Sequence, residues 1–117
     1  MEPNIQTRSF DFAIRIVRMA AELDKTVGVP RTLSNQVLRS GTSIGANVEE
    51  AQGGQSKADF TSKMSIACKE ARETLYWIKL LAATETLPVK QLEALQTEAN
   101  EIVAILTTIV KSSRKSL

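Results

Sequence analysis

A chain of 117 residues is sized for one domain, and 15 basic against 13 acidic side chains give a formal charge of +2. That balance lacks the strong basicity that by itself argues for nucleic acid. The hydrophobic fraction of 43% is ordinary but aromatics are only 4%, so the core must be built from aliphatic side chains and alanine. Five Gly and three Pro leave few turns, which favours long helices over many short strands.

The single cysteine, Cys68, excludes an intramolecular disulfide and fits a reducing compartment. Its neighbours Met64, Ile66, Ala67 and Ala71 make it a core thiol rather than a reactive one. No apolar run approaches the ~18 residues of a membrane span. The opening "MEPNIQTRSFDF" lacks the basic-then-apolar layout of a signal peptide. The expectation is a soluble cytoplasmic protein with no membrane contact.

The first helix is predicted over about 9–25. Asp11, Arg15, Arg18, Glu22 and Lys25 form one polar stripe at alternating spacings of four and three. Two apolar stripes accompany it, Phe10, Ala13, Val17 and Ala20 beside Phe12, Ile16, Met19 and Leu23. A surface helix ordinarily buries one face, so this one has a stripe to spare. "TVGVPRT" breaks the pattern, with Gly28 suited to a helix C-cap region and Pro30 to a restart.

The second helix, about 31–52, carries Leu33, Val37, Ile44, Val48 and Ala51 along one side and ends at Gly53 and Gly54. Ser56 with Asp59 three residues on resembles a capping box and opens the third helix, about 57–83. There Phe60, Met64, Ala67, Ala71, Thr74, Ile78 and Leu81 alternate by four and three without a slip. "TETLPVK" is the next break, with Pro88 in the first turn of a fourth helix over about 88–113. Leu92, Leu95, Ala99, Ile102, Leu106 and Ile109 keep the same rhythm. Four long helices with short breaks predict an all-α, antiparallel up-down-up-down four-helix bundle.

Within the second helix, "GTSIG" (41–45) fits the G-x-S-x-G spacing of a hydrolase nucleophile elbow. An elbow needs a preceding strand and a histidine to take the serine proton. "LSNQVLR" continues a helical pattern, and the chain contains no histidine. Ser43 is therefore not read as a nucleophile. The missing histidine also removes the commonest metal ligand, and no E-x-x-H or P-loop motif is present. No enzyme activity, metal or cofactor is expected.

Glycine inside a helix costs about 1 kcal/mol relative to alanine, so Gly41 and Gly45 want a compensating gain. Four apart, they share a face and let another helix approach closely. Ser40, Ser43 and Asn47 are then candidates for hydrogen bonds across a helix or subunit contact; the alternative is a simple kink. Arg39, Glu49, Glu50, Lys69, Glu70 and Glu73 form a candidate polar network, since an antiparallel second and third helix bring Arg39 near Glu70 and Glu73. A solvated set of surface charges is the other reading.

"LRSGTSIGANVEEAQ" (38–52) followed by "DFTSKMSIACKEARETLYWIKLL" (59–81) resembles the small bundle proteins encoded in 23S ribosomal RNA intervening sequences. The accessory variability protein of diversity-generating retroelements is similar to these. The resemblance implies a four-helix bundle that assembles into a homopentameric ring, with a role alongside RNA or DNA and a protein partner such as a polymerase. The spare stripe of the first helix fits such a homo-oligomer, because a heterologous contact that closes makes a ring.

Two functions follow. One is an oligomeric accessory protein binding nucleic acid non-specifically, for which antiparallel topology offers Arg8, Lys57, Lys63, Lys111, Arg114 and Lys115 at one end. The other is a protein-interaction scaffold without nucleic-acid contact. Tyr76 and Trp77, the most plausible base-stacking aromatics, lie mid-helix and are assigned to core or interface packing.

Overall fold

The computed structural model describes residues 4–117, in four helices: α1 (Ile5–Asp24), α2 (Val29–Gln52), α3 (Lys57–Ala83) and α4 (Val89–Lys115). They form an elongated bundle of 46 × 24 × 22 Å. Sequence neighbours pack side by side, α1 on α2, α2 on α3 and α3 on α4, and α1 closes on α4 along a looser seam. Among the described residues there is no strand.

The helix ends follow local capping chemistry. The Asn4 side chain accepts from the Thr7 N–H at 2.9 Å, which starts α1 a full turn before the apolar periodicity does. Ser56 caps α3 by accepting from the Asp59 N–H at 3.1 Å. Gly28 is the N-cap of α2 with φ +100, a left-handed angle that glycine adopts without strain, and Lys25 is the residue that ends α1. Pro88 stands just outside α4 as its N-cap, not in its first turn. The last turn of α4 continues to Lys115.

The apolar rows meet in one core. Phe12, Ile16, Met19 and Leu23 of α1 face Val37, Ile44, Val48 and Ala51 of α2, with Met64, Ala71, Ile78 and Leu81 of α3 and Leu92, Ala99, Ile102 and Leu106 of α4. Cys68 is buried within it as a free thiol. At the end of α4 the rhythm slips by one: Val110 is buried and Ile109 only partly so.

Candidate functional site

The glycine pair marks a close approach of α1 to α2 within the chain. A Cβ on Gly41 would stand 2.7 Å from Ile16 Cγ2 and 2.9 Å from Cγ1; one on Gly45 would meet the Ser9 carbonyl oxygen at 3.3 Å. Both contacts are to α1, so the two glycines serve helix packing within the chain. Ser34 Oγ, donating to the Ala20 carbonyl at 2.8 Å, fixes the same pair of helices further along.

The hydroxyls around the glycines divide. Ser40 is fully buried and accepts from Thr74 Oγ1 of α3 at 2.9 Å, a bond across the α2–α3 contact. Asn47 does not reach across. Its Nδ2 donates to the Ser43 carbonyl at 2.9 Å and to Ser43 Oγ at 3.1 Å, both in its own helix. Ser43 thus sits mid-helix in α2 with helix, not strand, before it.

The α2–α3 contact also brings part of the charged set together. Arg39 donates from Nη1 to Glu70 Oε2 at 3.2 Å and from Nη2 to Glu73 Oε2, and the Trp77 indole N–H donates to that same oxygen at 3.0 Å. Glu70 is buried and Arg39 half-exposed, so the guanidinium covers a carboxylate that water reaches poorly. Glu49, Glu50 and Lys69 are exposed and outside this network.

Of the six cations assigned to one end, five belong there: Lys57 and Lys63 in the first turns of α3, where Thr61 and Ser65 meet Ser113 and Arg114, and Lys111, Arg114 and Lys115 in the last turns of α4. Lys63 is half-buried and the other four are exposed. Between α3 and α4 at this end, Phe60 and Ile109 floor a groove of about 610 Å³ with Lys57 and the hydroxyls of Thr108, Ser112, Ser113 and Ser116. Arg8 is elsewhere. It grips Glu98 Oε1 at 2.6 Å and approaches Glu101 at 3.6 Å, well before the α4 tail, because α1 begins alongside the middle of α4. Its charge closes the α1–α4 seam.

The spare stripe of α1 stays on the surface. Phe10 is 64% exposed and Val17 48%, with Ile14 of α1 and Leu38 of α2 also exposed, while Ala20 of the same stripe is buried. Two shallow grooves of about 270 Å³ each lie in line along this helix pair. One is lined by Phe10, Ala13, Thr42 and Ala46, the other by Val17, Ala21 and Leu38.

Tyr76 lies outside the core: it is 58% exposed, edge-to-face with Trp77 at 5.2 Å between ring centroids. Among the described residues no group of three His, Cys, Asp or Glu side chains could hold a metal ion. No helix there is long and apolar enough to cross a membrane.

Residues 2–108 match the family model of the 23S rRNA-intervening sequence protein. The chain belongs to this family. Its fold is that of a solved structure from the same circle, a protein of unknown function from the S23 ribosomal protein family of Bacteroides thetaiotaomicron VPI-5482. The two are 44% identical over 92% of this chain and 99% of that one, with a TM-score of 0.85. A search of the curated proteins returns no match. The likeness covers most of the bundle and brings with it a link to 23S rRNA intervening sequences.

Proposed function

We propose that this 23S rRNA-intervening sequence protein is a non-enzymatic accessory protein that self-associates through its α1–α2 face and holds nucleic acid by its phosphate backbone. The observation that carries the reading is the exposed apolar row Phe10, Ile14 and Val17 beside Leu38. A contiguous apolar patch on an otherwise charged small domain marks an interaction surface. The row runs along two helices and is shallow, a shape that suits another helix.

The occupant is a second copy of this chain. Asp11 and Arg18, both exposed and of opposite sign, flank the row and offer charge partners to a neighbouring copy. The closed form is a ring, five-fold in the reading drawn from the resemblance. Five copies raise the charge from +2 to about +10 and repeat each cationic group around an axis, so contacts that are weak singly add through effective concentration. The family's tie to rRNA makes a polynucleotide the natural partner. Ser43, hydrogen-bonded inside α2 in a chain without histidine, supports a role without catalysis. The cytoplasm is the compartment that fits a lone buried thiol and an RNA partner.

The test is fluorescence anisotropy of labelled RNA against the wild type and Val17→Glu at rising salt. Binding should weaken steeply with salt and should fall with the loss of self-association in the variant. RNA binding by the variant equal to that of the wild type would refute oligomer dependence. No RNA or DNA binding at low salt would replace this reading with the protein scaffold.

A further inference from the structure

On α3, Ser65, Lys69, Arg72, Tyr76 and Lys79 recur at intervals of four, three, four and three. At 3.6 residues per turn they fall within an arc of about 80°, and Lys69 to Lys79 spans about 15 Å. No acidic residue stands in the row. Lys69, Arg72, Tyr76 and Lys79 are all exposed. At its lower end the row gains a fourth cation from α4, because Arg114 Nη2 donates to Ser65 Oγ at 3.3 Å.

The cations are available. Among the described residues none of Lys69, Arg72 and Lys79 forms an ion pair. Arg72 reaches only the weak acceptor Cys68 Sγ, at 3.5 Å. The adjacent carboxylates Glu70 and Glu73 are taken by Arg39 of α2, and Trp77 also holds Glu73, so the network on the α2 side of α3 keeps negative charge off the row. Glu93 and Glu101 share a groove with Lys79 and bound the row at its upper end.

We propose that this face of α3, Lys69, Arg72, Tyr76 and Lys79 with Arg114 of α4, is a track for single-stranded nucleic acid. The inference rests on the function proposed above and names its site. The cations take successive phosphates, and the exposed Tyr76 ring, between Arg72 and Lys79, offers a base a surface to stack on, the combination by which single strands are held without sequence preference. The track lies on the α3–α4 side of the bundle, away from the apolar α1–α2 face. It also explains how a chain with little net charge can hold phosphates, since the row concentrates cations that the whole-chain balance hides.

The test is anisotropy with labelled oligouridylate, its deoxythymidylate counterpart and a duplex of equal length, on the full chain. Lys69→Ser/Arg72→Ser/Lys79→Ser should lower single-strand affinity at least about tenfold and flatten the log–log salt slope by about 2, three phosphate contacts at ~0.7 each. Tyr76→Ala should lower it about tenfold with the salt slope unchanged, and Tyr76→Phe should restore it, as stacking requires. Lys57→Ser/Lys111→Ser/Lys115→Ser should cost less than the row variant. Ribo- and deoxyribo-strands should bind alike, the duplex more weakly. A larger loss from the Lys57, Lys111 and Lys115 variant than from the row variant would overturn the track while leaving nucleic-acid binding intact. Tighter duplex binding, or a strong preference for one sugar, would overturn the stacking role. Absence of binding by the wild type would remove both the function and the track.

Discussion

Gly41 packs directly against Ile16, and the consequences can be measured. A methyl placed at Gly41 overlaps the inner carbons of a fully buried side chain that has nowhere to turn. Gly41→Ala should therefore destabilise by about 1–3 kcal/mol through overpacking, although alanine favours a helix by about 1 kcal/mol. Circular dichroism melts should show a lower midpoint, and a smaller penalty for the same change in an Ile16→Ala background. A raised midpoint would contradict the close approach. Glu85 offers the opposite case. It follows α3 with φ 54, its N–H bonded to the Ala82 carbonyl and that of Thr86 to Leu81, a Schellman ending that glycine suits better. Glu85→Gly should raise stability by about 0.5–1 kcal/mol, read by the same melts. The need for a small residue at 41 was legible in the sequence, as the cost of helical glycine demands a reason. Which helix filled the space was not, because spacing within one helix carries no record of its partner.

At the scale of the helix, Arg39 with Glu70, Glu73 and Trp77 ties α2 to α3. Removing the guanidinium leaves Glu70 buried without its cation, so Arg39→Ala should cost about 1–2 kcal/mol, well below a fully buried pair because Arg39 is half in water. Trp77 fluorescence should shift with it, since the indole shares an oxygen of Glu73 with Arg39. An unchanged melt and spectrum would make the pair a surface ornament. This pairing could be read from antiparallel topology alone. Helix boundaries were less legible where capping rather than periodicity sets them: Asn4 extends α1 to Ile5, and its apolar stripes begin only at Phe10. The α3 row is hidden in the sequence because Tyr76 and Trp77 stand together as candidates for core or interface packing. Their adjacency in sequence puts them about 100° apart on the helix, and only Trp77 turns toward the α2 network.

At the scale of the molecule, four periodic patterns and three breaks were enough to anticipate the bundle. They were not enough to place Arg8, because the order of helices says nothing of how far along α4 the first one enters. Arg8 belongs to Glu98 and Glu101, and the cationic surface lies instead at the α4 tail and along α3. The surplus stripe on α1 was legible as a surplus, and the monomer leaves Phe10 and Val17 in water. Fully burying an apolar side chain of this size is worth about 1.5–3 kcal/mol, so several per subunit can drive association at micromolar concentration. The mass in solution decides the matter. Light scattering of the wild type at micromolar concentration should give a multiple of 12.8 kDa, five-fold in the ring, with Phe10→Glu/Val17→Glu folded and reduced to 12.8 kDa. A wild-type mass of 12.8 kDa, or an assembly that the double variant leaves intact, would contradict it.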